Sequence, residues 1–330
     1  MVVKREIVVL GMGGTIAGRA SRASDNVGYV AGEVPVDVLV NECLAGSLDP
    51  MAWQVLCEQV VQKDSKDMVF DDWALLAQRV AHHLRRAEVA GVVVTHGTDT
   101  LEEGAYFLHL TIPQDLQQAK PLVMTCAMRP ASALAPDGPQ NLRDAVAAVQ
   151  DGRAAGVVVV CGGEVHAATR VRKTHTYSTR AFASVGGGVL GYVEEGCVRW
   201  CDACATLLPG AGAHVLPERP ARWPRVEVLL SYSEASADLI DALLAYQGPN
   251  GAVDGLVLAA TGNGTVHSAL EPALGNAQRR GVRVALVSRC ADGALVGAGL
   301  EGRAFALGQV VSPYQARIAL VLQLLTPSKP

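Results

Sequence analysis

The sequence predicts an α/β protein with a larger N-terminal domain, built on a mainly parallel sheet flanked by helices, and a smaller α/β C-terminal domain. Short apolar runs alternate with helix-like segments over most of the 330 residues, an order typical of β-α-β units. The composition is 50% hydrophobic but only 5% aromatic and 18% charged, which suits sheets covered by helices on both faces. The chain is long enough for two domains.

The individual elements follow from these runs. In the N-terminal part we predict strands at 7–10, 92–95, 122–126 and 157–161, and helices at 71–86, 101–110 and 141–151. Six prolines and glycines between 207 and 225 interrupt the pattern and predict a linker. The alternation then resumes with strands at 226–230, 256–260 and 282–287, and helices at 236–245, 266–280 and 312–325. The predicted domains are therefore 1–206 and 226–330, joined by 207–225.

Charge and hydropathy exclude several classes of protein. The formal net charge of -4 gives no basic surface for nucleic acid. No apolar stretch approaches the roughly 20 residues that span a bilayer, and the first apolar run breaks at Gly11, short of a signal-peptide core. We therefore expect a cytoplasmic protein that binds neither nucleic acid nor membrane.

The 8 cysteines include a cluster, Cys197, Cys201 and Cys204, whose spacing is compatible with a metal site. The cluster has no clear fourth ligand at ordinary spacing, and short matches of this kind are common by chance. We interpret the cysteines as small buried hydrophobic residues and predict no metal and no cofactor.

Two polar turns follow predicted strands and carry the chemistry. One, 11–18, presents Thr15 after the first strand, and the other, 95–100, presents Thr98 and Asp99 after the strand at 92–95. Ligands of open α/β sheets bind just outside the carboxyl ends of the strands. Two threonines placed there suggest hydroxyl nucleophiles, which need a positioned base.

Two residues are candidates for assisting these hydroxyls. Tyr29 lies in a Gly-rich stretch, where a mobile loop could bring its phenol over Thr15, and Lys173 follows a segment, 162–172, that we interpret as a loop. Each residue also has a structural interpretation. Thr15 can bond its own turn, Thr98 and Asp99 can cap the following helix, and Tyr29 and Lys173 can be packing and surface residues.

Taken together, these segments resemble the bacterial-type L-asparaginases, a family of amidohydrolases with a threonine nucleophile. The resemblance covers essentially the whole chain in order. It rests on Gly13-Gly14-Thr15-Ile16-Ala17-Gly18, Asp64-Ser65-Lys66-Asp67-Met68, Thr95-His96-Gly97-Thr98-Asp99-Thr100-Leu101-Glu102-Glu103, Ala127-Met128-Arg129-Pro130, Asp137-Gly138-Pro139-Gln140-Asn141-Leu142 and Thr261-Gly262-Asn263-Gly264.

The resemblance implies hydrolysis of the side-chain amide of L-asparagine to L-aspartate and ammonia through a threonine acyl-enzyme. The implied catalytic residues are Thr15 as nucleophile, Tyr29 as its loop-borne partner, and the group Thr98, Asp99 and Lys173.

The resemblance also implies how the substrate is held. Ser65 and Asp99 grip its α-carboxylate and α-ammonium, the backbone at Gly97 and Thr98 stabilises the oxyanion, and Ala127 contacts the leaving amide. Asn263 reaches the active site of a neighbouring subunit, so the implied assembly is a homodimer or homotetramer.

Two departures from the family pattern concern substrate binding. Lys66 stands among the substrate-binding residues where a neutral group is usual, and its charge repels a substrate ammonium unless it turns toward solvent or Asp67. The segment after Cys290 lacks an obvious acidic residue for the neighbouring Tyr–Thr pair. A glutaminase-leaning enzyme and a catalytically weakened amino-acid-binding protein are therefore the alternatives.

Overall fold

A computed structural model of the chain describes residues 4–201, 212–218, 220–296, 305–306 and 312–325. The chain divides into two compact units, Met1–Ala213 and His214–Pro330. The predicted linker lies partly outside the described residues, and its described residues from 212 onward form neither helix nor strand. None of the described helices combines the length and apolar character needed to cross a membrane.

The first unit alternates strands and helices through its middle part and ends in a series of strands. In chain order its elements are β1 Arg5–Gly13, β2 Arg19–Ala20, β3 Tyr29–Val30, α1 Val36–Leu44, β4 Trp53–Lys63, α2 Phe70–Leu84, β5 Val89–Thr95, α3 Leu101–Thr111, α4 Gln114–Ala119, β6 Leu122–Thr125, α5 Gly138–Asp151, β7 Val157–Cys161, β8 Glu164–Ala167, β9 Val171–Lys173, β10 Phe182–Ser184, β11 Gly191–Glu194 and β12 Cys197–Trp200.

An eight-stranded, mainly parallel sheet forms the centre of this unit. Its order is β12-β11-β8-β7-β6-β5-β1-β4; β4, β1, β5, β6 and β7 pair in parallel, and β8, β11 and β12 extend the sheet with antiparallel pairs. Every residue of β5 and β7 is buried, which explains their near-continuous valine runs. The predicted parallel sheet is confirmed, and β1 and β5 are neighbours in it.

Helices cover this sheet, and its central strands carry hydrophobic residues on both faces. Ile7, Val9 and Val93 point to the face on which α1 and α5 pack. Val8 and Val92 alternate with these residues and so point to the other face, and α2 contacts the same group of strands.

Several elements differ from the sequence-based prediction. Between β3 and α2 the structure contains α1 and β4, which the sequence patterns did not predict. The short helix α4 was not predicted either. The segment 162–172, interpreted as a loop, instead contains β8 and most of β9. The interpretation failed because β8 and β9 are short and carry polar residues, so neither forms an apolar run.

The second unit is a smaller α/β structure, as predicted. It contains β13 Val226–Leu230, α6 Asp238–Ala245, β14 Gly255–Ala260, α7 Glu271–Arg279, β15 Arg283–Ser288, β16 Phe305–Ala306 and α8 Pro313–Leu325. Its four described strands pair in parallel in the order β13-β14-β15-β16. The helix expected at 266–280 is shorter than predicted, because Pro272 sits in the first turn of α7 and the residues before Glu271 form turns.

Candidate active site

A close contact between two glycines brings the threonine-bearing turns together. Gly14 follows β1 and Gly97 follows β5, and a Cβ atom built on Gly14 would lie 2.2 Å from the Cα of Gly97. Gly14 also has a φ of +81°, which side-chain-bearing residues rarely adopt. Because Thr15 directly follows Gly14 and Thr98 directly follows Gly97, this contact places both threonines at the same edge of the sheet.

Thr15 pairs with Tyr29. Thr15 is buried at the start of a 3-10 turn, Thr15–Ala17, and its Oγ1 lies 2.6 Å from the Oη of Tyr29. A Cβ on Gly18 would come within 2.8 Å of the Tyr29 ring, so this glycine leaves room for the ring. Burial, helped by the charges of Asp64 and Asp99, raises the pKa of Tyr29, and its phenol stays protonated at neutral pH.

Thr98, Asp99 and Lys173 form a second hydrogen-bonded group. The Nζ of Lys173 donates to the Oγ1 of Thr98 at 2.8 Å and to the Oδ1 of Asp99 at 2.6 Å. Thr98 is buried, whereas the side chain of Asp99 is 54% exposed. The buried Glu102, in the first turn of α3, accepts a hydrogen bond from the backbone N–H of Lys173 at 2.8 Å. The same segment therefore holds both the main chain and the ammonium group of Lys173.

Ser65 joins the same site, and Lys66 turns away from it. The Oγ of the buried Ser65 accepts a hydrogen bond from the backbone N–H of Asp99 at 3.2 Å. The Nζ of Lys66 lies 2.5 Å from the Oδ2 of Asp67 and 3.5 Å from the Oδ2 of Asp64, and its side chain is 60% exposed. The lysine therefore adopts the outward, acid-paired arrangement that a substrate ammonium requires.

Ala127 is fully buried beyond the end of β6, in a segment fixed from both sides. Asn141 donates to the carbonyl of the preceding Cys126 at 2.9 Å. The carboxylate of Asp137 accepts the backbone N–H groups of Met128 and Arg129, each at 2.9 Å. The side chains of Asn141 and Asp137 therefore hold the backbone on both sides of Ala127.

Asn263 lies in the second unit, on an exposed turn after β14. Its side chain exchanges two hydrogen bonds with the backbone of Val296, donating from Nδ2 at 2.5 Å and accepting at Oδ1 at 2.7 Å. Its expected contact with a neighbouring subunit stays a prediction.

The cysteine cluster offers no metal site among the described residues. Cys197 is exposed and Cys201 is half-buried, and no described group of histidines, cysteines and acids is arranged to hold an ion. Cys204 lies outside the described residues.

Sequence reasoning did not assign roles to several supporting residues. Glu102, Asp137 and Asn141 were present in the recognised motifs, but each acts on the backbone of a distant residue. Their sequence signal was weak: Glu102 and Asn141 are polar residues within predicted helices, and Asp137 immediately precedes α5. His96 and Trp73 were also unassigned; they form a buried pair behind Gly97.

The site therefore presents two threonine hydroxyls, each with its own polar partner, beside one cation and several carboxylates. Such a constellation suits a nucleophilic hydroxyl, a proton relay and recognition of a zwitterion.

Comparisons with known proteins show the family to which the chain belongs. Residues 6–204 match the family model "Asparaginase, N-terminal", and residues 225–330 match "Glutaminase/Asparaginase C-terminal domain". The chain is 34% identical over 329 residues to L-asparaginase 2 of Escherichia coli, covering 98% of this chain and 90% of that protein. It is also 34% identical over 299 residues to the glutaminase-asparaginase of Pseudomonas fluorescens, covering 88% and 77% of the two chains.

A solved structure shares the whole fold. The crystal structure of a probable cytoplasmic L-asparaginase from Campylobacter jejuni superposes with a TM-score of 0.88 at 34% identity, and the match covers 99% of this chain and 97% of that one.

Proposed function

Because the chain belongs to the asparaginase family, we propose that it hydrolyses the side-chain amide of L-asparagine to L-aspartate and ammonia, with Thr15 as nucleophile. The observation that carries this proposal is the pair of threonine groups at one edge of the sheet, Thr15 with Tyr29 and Thr98 with Lys173. The reaction needs no metal or organic cofactor.

In the first step, the Oγ1 of Thr15 bonds to the amide carbon and the C–N bond breaks. A relay through the hydroxyl of Thr98 and the Nζ of Lys173 carries the proton of the nucleophile to the departing amide nitrogen, which leaves as ammonia. In the second step, water attacks the ester carbon, and the bond to Thr15 breaks to release aspartate and restore the hydroxyl. Tyr29, kept protonated by its raised pKa, orients the Thr15 oxygen.

Substrate binding follows from the charges around this centre. Asp99 offers a carboxylate to the α-ammonium, and the hydroxyl of Ser65 and nearby backbone N–H groups bind the α-carboxylate. The backbone at Gly97 and Thr98 stabilises the oxyanion, and the backbone at Ala127 contacts the amide. Lys66 faces Asp67 and solvent, so its own charge does not compete with the substrate ammonium at Asp99.

The test is release of ammonia from L-asparagine by the purified protein and by Thr15→Ala and Thr98→Ala. Loss of either hydroxyl should lower kcat by roughly a thousandfold or more, as removal of a reacting group does. Thr111→Ala is the matched control, since this buried threonine bonds only its own helix at the carbonyl of Phe107. Hydroxylamine should divert the acyl-enzyme to a hydroxamate. A Thr15→Ala variant that keeps wild-type turnover contradicts the assignment.

Glutamine is the second candidate substrate, because the chain is 34% identical to a glutaminase-asparaginase, the same identity as to L-asparaginase 2, although over fewer residues. Ratios of kcat/KM for the two amides decide the preference. Absence of turnover with both, in a folded protein that binds an amino acid, supports the binding-protein alternative.

We propose a homodimer or homotetramer in which Asn263 of one copy completes the site of another. Light scattering measures the assembly directly. The Thr15→Ala and Asn263→Ala proteins should each be impaired alone, and refolding the two together should restore part of the activity. A mixed assembly contains one intact site, in which Thr15 comes from the Asn263→Ala copy and Asn263 comes from the Thr15→Ala copy. No recovery from a mixed oligomer contradicts a shared site.

We also propose a cytoplasmic location, supported by the similarity to the Campylobacter jejuni protein. The chain is similarly related to a probable periplasmic L-asparaginase of Haemophilus influenzae, at 33% identity. Cell fractionation with the native gene tests the location: activity released by osmotic shock would place the protein in the periplasm.

A further inference from the structure

His96 is completely buried immediately before Gly97 and takes no part in the proposed chemistry. Its backbone N–H donates to the carbonyl of Thr125 in β6 at 2.9 Å, which already ties this residue to the sheet. The imidazole makes two further contacts, one at each ring nitrogen. Those contacts bear on the peptide that joins Gly97 to Thr98.

The two contacts fix where the imidazole carries its proton. The indole Nε1–H of Trp73 donates to the Nε2 of His96 at 3.3 Å, and because indole is a donor only, Nε2 must be the unprotonated nitrogen. The Nδ1 of His96 lies 2.8 Å from the carbonyl oxygen of Gly97, and it therefore carries the hydrogen and donates it. Burial lowers the pKa of His96 to about 4, so the ring is neutral at neutral pH.

The surrounding packing holds this pair in place. Trp73 is 3% exposed, and its ring lies 5.6 Å from that of Phe70 and 5.9 Å from that of Phe107. Gly104 of α3 faces the hydrogen bond itself: a Cβ there would lie 3.1 Å from the Trp73 Nε1 and 3.2 Å from the His96 Nε2. Glycine at this position leaves the two rings room to meet.

The bond to Gly97 sets the orientation of the next peptide plane. In a trans peptide the carbonyl and the N–H point in opposite directions. Because the Gly97 carbonyl points at the buried imidazole, the N–H of Thr98 points away from it. We propose that His96, held in its Nδ1–H form by Trp73, is a positioning residue that aims the Thr98 N–H at the oxyanion and fixes the Thr98 hydroxyl beside Lys173. This inference rests on the proposed function.

Two substitutions separate the contacts of His96. In His96→Asn the side-chain amide nitrogen can occupy the place of Nδ1 and still donate to Gly97, whereas in His96→Gln the longer side chain reaches the place of Nε2 and loses that bond. We expect His96→Gln to lower kcat by about a hundredfold, the effect of losing or misplacing an oxyanion donor, with KM changed less than about threefold. His96→Asn should recover most of the lost kcat.

Two controls separate positioning from simple loss of stability. His109→Gln replaces another buried histidine, which stacks on Tyr106 in α3, and it should lower the melting temperature while keeping kcat per folded molecule. Equal kcat for His96→Gln and the wild type, or equal losses for the Asn and Gln variants when both are folded, overturns the proposal.

A second measurement needs no substrate. Nitrogen NMR of the ¹⁵N-histidine-labelled wild-type protein should show a histidine that stays in the Nδ1–H form and does not titrate between pH 5 and 8. Because His83, His109 and His166 are also buried, loss of this signal in His96→Asn assigns it to His96. If no such histidine is found, the positioning role is wrong whatever the enzyme does. If the histidine is found but the wild type releases no ammonia, the proposed function fails instead.

Discussion

Replacing Gly14 with alanine tests whether contact between two backbones assembles the site. The new Cβ would lie 2.2 Å from the Cα of Gly97, whereas ordinary van der Waals contact begins near 3.4 Å. The two backbone segments must therefore separate by about 1.2 Å. Misplacement by about 1 Å can cost on the order of a hundredfold in rate. We therefore expect Gly14→Ala to lower kcat about a hundredfold by moving Thr15 relative to Thr98.

Gly152→Ala is the control for a positive φ without overpacking. Gly152 ends α5 in the left-handed helical conformation, with φ +76° and ψ -2°, and a Cβ there would meet nothing within 4 Å. Its substitution therefore costs a left-handed strain of roughly 1–2 kcal/mol. Gly14 has a similar φ of +81° but a ψ of -170°, a region occupied essentially by glycine alone, so alanine there carries a strain of about 1–3 kcal/mol. Both substitutions gain similarly from a stiffer unfolded chain. Only Gly14→Ala adds overpacking, which costs roughly 1–3 kcal/mol more.

The assay combines urea unfolding with ammonia release for the three proteins. The free energy of unfolding should fall in the order wild type, Gly152→Ala, Gly14→Ala, and kcat should fall only in Gly14→Ala. If Gly14→Ala matches Gly152→Ala in both stability and kcat, the close approach of Gly14 and Gly97 does not set the position of the two threonines.

Three further changes probe separate parts of the site. Lys173→Met and Thr98→Ala should each lower kcat strongly. The double variant should be little worse than either single variant, because the two residues act as one hydrogen-bonded pair. Additive losses in a double-mutant cycle contradict this coupling. Lys66→Gln should change KM for L-asparagine less than about threefold, because the lysine faces Asp67, and a tenfold fall in KM would show that it faces the substrate. The third change is pH. Burial lowers the pKa of His96 from 6.5 to about 4, so between these pH values the unfolded chain binds a proton that the folded chain excludes. Stability should therefore fall with falling pH by roughly 3 kcal/mol over this window, and urea titrations should show a steeper pH dependence for the wild type than for His96→Asn, whereas parallel curves refute the assignment.

The buried strands were predictable because burial on both faces leaves only apolar residues. In β5 every residue is buried, and its valines mark it directly. In contrast, β4 lies at the edge of the sheet, and its residues alternate irregularly between half-buried and exposed. Its sequence, with four glutamines or glutamates among the hydrophobic residues, resembles neither a buried strand nor an amphipathic helix. Tertiary position, which local sequence does not contain, decides its structure.

The residues of the candidate site divide in the same way. Thr15 and Thr98 were identified because each follows a predicted strand, so local order along the chain was sufficient. The support given by Glu102 to Lys173 joins residues 71 positions apart through one carboxylate and one backbone N–H. No spacing rule encodes such a contact. The direction of the Lys66 side chain likewise depends on which acids surround it, and it was predicted only as a condition for substrate binding.

In each threonine group the hydroxyl follows a strand of the central sheet, whereas its partner lies on a separate two-stranded element. Thr15 and Thr98 follow β1 and β5, neighbouring parallel strands in the sheet, whereas their partners come from short antiparallel pairs outside it: Tyr29 from β3, paired with β2, and Lys173 from β9, paired with β10. Short two-stranded elements bury less and open more readily than a central sheet. Lys173, however, is also tied to α3 by the bond between its backbone N–H and Glu102, so we expect Tyr29 to move from Thr15 more readily than Lys173 moves from Thr98. In the proposed reaction, substrate then enters between Thr15 and Tyr29 while Lys173 stays beside Thr98.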